Sequence, residues 1–272
     1  ELLAGAKNVA FEREDLSFAE YDIFKKSLRG KNFLPYANIV KEIRQLKDAS
    51  ELALIKKAAL ITDKTMAEIF KLIKPGVTEL FLQRKTAEIM QDLGAQGCAF
   101  DPIIALGANS ADPHYESSNR QIRRGQMIVI DIGARYKNYN ADMTRTVFVG
   151  KSSTLFKARY QMVLAVQENA LKNCSFQNSP SKVHNLAMQD FKRFGEDRFF
   201  LHGLGHGVGI EIHELPNLSP FGTGNFHNGM VFTVEPGIYH AGWGGIRIED
   251  LCVMQNGKAK PLTKFSKKLL EI

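Results

Sequence analysis

Five side chains in this sequence have the chemistry to hold metal ions: Asp131, Asp142, His206, Glu235 and Glu249. Asp131 and Asp142 stand eleven residues apart in VIDIGARYKNYNADMTRT, around a turn of Gly, Asn and Tyr. A hairpin of that length brings both carboxylates to one end of a sheet. Asp131 lies between Ile130 and Ile132, and strand side chains alternate, so the acid faces away from both. A buried lone carboxylate is costly unless it meets a cation or a donor. The same holds for Glu235 after VFTV and for Glu249 after Ile246 and Ile248. Any one of these acids alone reads as a strand-end residue in a salt bridge. Four of them with the single imidazole of His206 suit a pair of divalent ions, Mn²⁺ first, with Co²⁺, Zn²⁺ or Fe²⁺ as alternatives. In that reading Asp131 is bidentate on one ion, Asp142 and Glu249 bridge, and His206 and Glu235 complete the other. Two such ions roughly 3.5–4 Å apart hold and acidify a bridging water. Glu235 then accepts its proton and delivers it to a leaving nitrogen.

Other residues fit around such a nucleophile. His213, in EIHE, is placed to donate to a carbonyl oxygen as charge builds there. His114, in DPHY, is expected to contact substrate on the leaving-group side, and His202, four residues before His206, to line the same pocket. His184, His227 and His240 receive no catalytic role. Arg247, two residues before Glu249, falls on the same strand face and is expected to hold a metal-bound carboxylate. HGLGHGVG lacks the Lys-Ser/Thr ending and the GxGxxG spacing of phosphate loops. Its glycines, Gly203, Gly205, Gly207 and Gly209, alternate with larger residues. In a strand this leaves one side bare and predicts close approach of a peptide backbone.

These groups need a scaffold of helices and strands. A helix is predicted from Ser50 as N-cap, with Glu51 in its first turn, to Pro75-Gly76. A second runs from about Thr78 to Gly94, and two more lie near 154–174 and 181–194. Strand-like runs cover 126–132, 144–149, 230–234 and 245–253. The order is two helices and a strand pair, given twice. The two pairs are alike: Gly125, Asp131 and Gly133 in the first match Gly229, Glu235 and Gly237 in the second. Each pair adds a further acid, Asp142 or Glu249, and each follows a histidine, His114 or His213. The pattern is consistent with two related halves facing one another.

The 272 residues are 44% hydrophobic and 24% charged, an ordinary globular balance. No apolar run approaches the roughly 18 residues of a membrane span, and the first residues have no signal-peptide pattern. The chain has no initiator Met and is read as a fragment or processed form. Cys98, Cys174 and Cys252 form no CxxC pair, which argues for a reducing cytoplasm. The net charge of +7 is scattered in pairs such as Lys56-Lys57 without interleaved aromatics, so neither nucleic acid nor membrane is an expected partner. A homo-oligomer stays open. Residues 1–47 are read as the remnant of an N-terminal domain plus a linker at 29–48, and 48–272 as the catalytic domain.

The motifs PHY at 113–115, DIG with ADMTRT, HGLGHGVGIEIHE, VEPGIY and GIRIED resemble those of the pita-bread metallopeptidases. That family comprises methionine aminopeptidases, Xaa-Pro aminopeptidases, proline dipeptidases and creatinases. The resemblance covers about residues 48–272 and implies an α+β pita-bread fold, with pseudo-twofold αα-ββ halves around a dinuclear site. The family's five ligands match Asp131, Asp142, His206, Glu235 and Glu249, and its substrate-contacting histidines match His114 and His213. EPGIY and GIRIED are similar to the proline-specific branch. Proline dipeptidases often hold the substrate carboxylate with a basic residue in the loop before VEPG. Here residues 215–228 contain no Lys or Arg, and His227 is the one candidate. The expectation is therefore an Xaa-Pro aminopeptidase acting on peptides with proline second. The alternative is an Xaa-Pro dipeptidase. More remote are a creatinase-like hydrolase and a binding protein that has lost catalysis.

Overall fold

The computed structural model describes residues 3, 5–37 and 39–272, in two compact units, Glu1–Arg44 and Gln45–Ile272. In the first, the parallel strands β1 (Asn8–Glu12) and β2 (Asn32–Tyr36) are joined through α1 (Phe18–Ser27), and α2 (Ile39–Arg44) follows. Ser17 caps α1 in a reciprocal box with Glu20. The rings of Phe11, Tyr21 and Phe33 pack with centroids 5.3 to 6.3 Å apart. The stretch 29–48, expected as a linker, thus contains a strand and a helix. Phe33 is held by partners far back in the sequence, which no local pattern announces.

The second unit opens with α3 (Ala49–Leu72) and α4 (Glu79–Asp92). The cap of α3 is Asp48, not Ser50. Asp48 Oδ1 accepts from the Ser50 and Glu51 amides at 2.7 and 2.9 Å, and Glu51 accepts in return from the Asp48 amide. The Ser50 hydroxyl is itself a donor to Asp48, so the stronger acceptor takes the capping position. Thr78 caps α4, and Gly94, at φ +91°, closes it. Strands β3 (Gly97–Cys98), β4 (Ile103–Leu106), β5 (Met127–Ile132), β6 (Ala134–Tyr136), β7 (Tyr139–Asn140) and β8 (Met143–Phe148) follow. They form two antiparallel sheets, β4-β5-β8 and β3-β6-β7.

The second half repeats the plan. Helices α5 (Thr154–Asn173) and α6 (Pro180–Arg193) are capped by Ser153 and Ser179, with Pro180 at the first position of α6. Then come β9 (Gly205–Gly207), β10 (Glu214–Leu218), β11 (Val231–Val234), β12 (Gly237–His240), β13 (Gly244–Arg247), β14 (Asp250–Gln255) and β15 (Lys258–Pro261). The main sheet is β10-β9-β11-β14-β15, and β12-β13 is a separate hairpin. The predicted strand 245–253 is therefore two strands in two sheets, broken at Ile248-Glu249. Gly125 (φ +82°) and Gly229 (φ +89°) turn the chain into β5 and β11, six residues before Asp131 and Glu235.

One core joins α3 and α4 to β4-β5-β8, through Met66, Ile69, Leu82, Ile104, Ile128 and Ile130. Another joins α5 and α6 to β11, through Phe156, Val163, Phe191, Phe232 and Val234. A third, with Ile55, Ala58, Val231 and Leu251, ties α3 to the second sheet. The halves meet along β8, buried at every residue. Thr146 Oγ1 donates to the Arg247 carbonyl at 2.9 Å and accepts from its amide at 3.1 Å. The Glu249 amide donates to the Thr144 carbonyl at 3.2 Å. No helix among the described residues is long and apolar enough to cross a membrane. All three cysteines are free.

Candidate metal centre

The seam between the halves opens into a cavity of about 740 Å³. Asp131, Asp142, His206, Glu235, Glu249, His114, His202, His213 and Arg247 all line it. These residues come from distant stretches of chain. Asp131 lies on β5 opposite Thr144, with its Ile neighbours fully buried behind it. Asp142 leads into β8, His206 is the middle of β9, Glu235 follows β11, and Glu249 sits in the break between β13 and β14.

The carboxylates are supported on one side and bare on the other. Arg247 Nη2 donates to Asp131 Oδ2 at 2.5 Å. Thr144 Oγ1 donates to Glu249 Oε2 at 2.7 Å. Thr233 Oγ1 donates to Glu235 Oε1 at 2.9 Å. Asp131 Oδ1, Asp142 Oδ1 and Glu249 Oε1 are buried and have no hydrogen-bond partner among the described residues. One ligand atom each of Asp142, His206 and Glu249 lies within 4.8 Å of the others. His206 Nε2 stands 3.6 Å from Asp142 Oδ2 and 3.3 Å from Glu235 Oε1. Its Nδ1 donates to the Gly207 carbonyl at 3.1 Å, which leaves Nε2 to face the acids. Burial, then the charge of neighbouring carboxylates, pushes Asp142 and Glu249 well above the usual carboxylate range. For Glu235 burial pulls the same way, but the hydrogen bond and charge of His206 outweigh it and hold the carboxyl down at about 2. Buried oxygens without donors, gathered beside an imidazole, fit a divalent cation.

His213 stacks edge-on against His206 at 4.3 Å between ring centroids. Burial, then His206, lowers its pKa and favours the neutral ring. His202 Nδ1 donates to the Gly203 carbonyl at 2.7 Å, and its Nε2 accepts from the Tyr239 hydroxyl at 2.8 Å. Tyr239 accepts in turn from Arg247 Nη1 at 2.8 Å, and Arg247 Nε donates to Thr144 Oγ1 at 3.0 Å. Arg247 thus holds Asp131 directly, and Glu249 only through Thr144. Arg247 and Glu249 both face the cavity, and the reach of Arg247 to β5 and β8 sets its contacts.

One expectation needs correcting. The bare side of the HGLGHGVG glycines is covered by this chain's own strands. A Cβ on Gly205 would strike the Thr233 carbonyl, and one on Gly207 the carbonyls of Glu214 and Leu215. The glycines let β9 slot between β10 and β11, while Gly203 and Gly205 also line the cavity. His227, the one candidate for a carboxylate holder in 215–228, is exposed and does not line the cavity, whereas Asn217 of that loop does. His184 and His240 serve the scaffold: His184 Nδ1 accepts from the Leu204 amide, and His240 pairs with Glu196 at 2.6 Å. Sequence reasoning gave Thr144 and Tyr239 no role, although ADMTRT and EPGIY already carried them.

The model of metallopeptidase family M24 matches residues 53–256. An Xaa-Pro dipeptidase of Pyrococcus furiosus is 37% identical over 270 residues, 99% of this chain and 77% of that protein. An Xaa-Pro dipeptidase from Bacillus anthracis superposes with a TM-score of 0.94 at 34% identity, covering 98% of this chain and 75% of that one. An X-Pro aminopeptidase from Thermotoga maritima does so with 0.90 at 36% identity, covering 98% and 76%.

Proposed function

The chain belongs to metallopeptidase family M24 and has its α+β pita-bread fold, and on that footing we propose that it is an Xaa-Pro dipeptidase. Membership makes it a metal-dependent hydrolase of peptide bonds. The dipeptide preference departs from the aminopeptidase expected from the sequence. It is supported by relatives from Pyrococcus furiosus and Bacillus anthracis that bear the dipeptidase name. The observation that carries the chemistry is the group of three partnerless carboxylate oxygens beside His206.

The proposed ligands are Asp131, Asp142, His206, Glu235 and Glu249, holding two divalent ions, Mn²⁺ by preference. When bound, such ions activate a water and polarise the scissile carbonyl. Glu235 takes the proton from the attacking water and returns it to the proline nitrogen as the bond breaks. His213 donates to the carbonyl oxygen as negative charge develops. His114 contacts the substrate on the leaving side, and His202, fixed by Tyr239, forms the wall. Arg247 keeps Asp131 oriented. A cytoplasmic setting and a catalytic domain over residues 48–272 belong to the same reading.

A second reading, an Xaa-Pro aminopeptidase for longer peptides, has its own support. Arg247 is the one Lys or Arg among the cavity-lining residues, and its nitrogens are engaged with Asp131, Thr144 and Tyr239. Hydrolysis of Xaa-Pro substrates of two, three and four residues, with Mn²⁺ and then with a chelator, separates the two. Dipeptides are expected to be cleaved fastest. Faster cleavage of tripeptides would select the aminopeptidase, and activity indifferent to chelation would remove both.

A further inference from the structure

Glu79 is a fully buried acid that no step above uses. It occupies the first position of α4, and its carboxylate accepts four hydrogen bonds. The Leu106 amide donates to Oε1 at 3.0 Å. The Ser118 amide, the Ser118 hydroxyl and the Tyr115 hydroxyl donate to Oε2 at 2.9, 2.7 and 2.9 Å. The start of α4 grips the same segment by its backbone: the amides of Glu79 and Leu80 donate to the carbonyls of Arg120 and Ser118. Leu106 and Ser118 are the two ends of the connection that carries Pro113–Ser117 along the cavity wall. Near its start, Ser110 Oγ accepts from the Gly245 amide at 2.8 Å and ties it to β13. His114 lies between these anchors. It is exposed, and among the described residues its ring makes no hydrogen bond. Its place over the cavity is therefore set by the backbone that Glu79 holds.

We propose that Glu79 is a positioning residue for His114, fixing the 106–118 connection from behind the cavity wall so that the imidazole meets the substrate. The inference rests on His114 contacting substrate. Glu79 does not itself line the cavity. Glu79→Gln keeps the shape but turns its NH₂ toward the Leu106 or the Ser118 amide, either of which can only donate, so the connection must shift.

The test is a double-mutant cycle on the whole, Mn²⁺-loaded chain, reading kcat/KM for a Xaa-Pro dipeptide. His114→Ala and Glu79→Gln are each expected to lower kcat/KM by on the order of tenfold to a hundredfold, the cost of a misplaced contact. Adding Glu79→Gln to His114→Ala should cost less than about threefold more, because both changes remove one contact. The Mn²⁺ dissociation constant should stay within about twofold, and amide exchange should quicken over 106–118 in metal-free protein. Ser118→Ala, which removes one donor, should give a smaller loss with the same non-additivity, and it serves if Glu79→Gln does not fold. Losses that multiply, or unchanged kcat/KM in both folded variants, would overturn the proposal. Normal turnover of His114→Ala alone would instead sink the role of His114, and the proposal with it.

Discussion

Glu249 and Asp250 are neighbours in the chain, both buried to within 2% of full enclosure, and they meet opposite surroundings. Asp250 opens β14, so its side chain leaves the backbone on the other side from that of Glu249. Asp250 Oδ1 accepts from Arg145 Nη2 at 2.8 Å, and Oδ2 from Lys267 Nζ at 2.7 Å and Gln167 Nε2 at 3.1 Å. Lys267 is held further by Gln167 Oε1 at 2.9 Å. Arg145 spends its remaining donors on the carbonyls of Thr144, Glu249, Phe265 and Ser266. Glu249 has one donor, Thr144, and an Oε1 with none. Two buried acids, one saturated and one left wanting, separate architecture from chemistry. Saturation locks the two halves together behind the site; want leaves a place that fits a cation.

The contrast is most exposed by Glu249→Ala. Turnover should fall by roughly a thousandfold or more, because ligands acting as one unit fail together. Stability in chelator should hold or rise, since a buried carboxyl with an unpartnered oxygen is gone, and urea unfolding reads this directly. The gain on adding Mn²⁺, about 2.7 kcal/mol at a hundred times the dissociation constant, should shrink with the lost affinity. Asp250→Ala should do the reverse. It strands Arg145 and Lys267, and the same unfolding assay in chelator should show a loss of about 3–5 kcal/mol. If both variants unfold alike, the distinction between the two acids fails.

The smallest effect concerns an acid that is satisfied but exposed. Glu271 accepts from the Ser152 hydroxyl and amide at 2.6 and 2.8 Å, which with Lys157 hold its carboxyl down at about 2. A depressed carboxyl stabilises the fold above its unfolded value of about 4.3. That share is lost as the pH falls through about 2. Ser152→Ala should lower Tm slightly at pH 7, and the difference from the parent should fade over that acid range. A difference that persists below pH 2 would mean that Ser152 acts by packing alone.

The acids and His206 were legible because lone carboxylates interrupt apolar strands, a local signal. The paired halves were legible because Gly125 and Gly229 repeat at the same offset. The four long helices α3 to α6 were legible within a residue or two, although Asp48 took the cap assigned to Ser50. What could not be read is what depends on partners far along the chain. Arg145 and Asp250 stand 105 residues apart, and Leu106 and Ser118 lie 27 and 39 residues from Glu79. The HGLGHGVG glycines misled for the same reason: alternation shows which side of a strand is bare but not what covers it. The break at Ile248-Glu249 was hidden because the alternation of Ile246, Arg247, Ile248 and Glu249 reads as one strand whichever sheet receives it.

The short segment 264–268 is bound into this arrangement from three sides. Asp63 of α3 accepts from the Lys264 and Phe265 amides, Arg145 takes the next two carbonyls, and Lys267 reaches Asp250. A ribosome threads these residues out after every acid and histidine of the cavity. A nascent chain shorter than that has all the acids and histidines of the cavity but lacks the brace that Lys267 and the Phe265 and Ser266 carbonyls supply to Asp250 and Arg145.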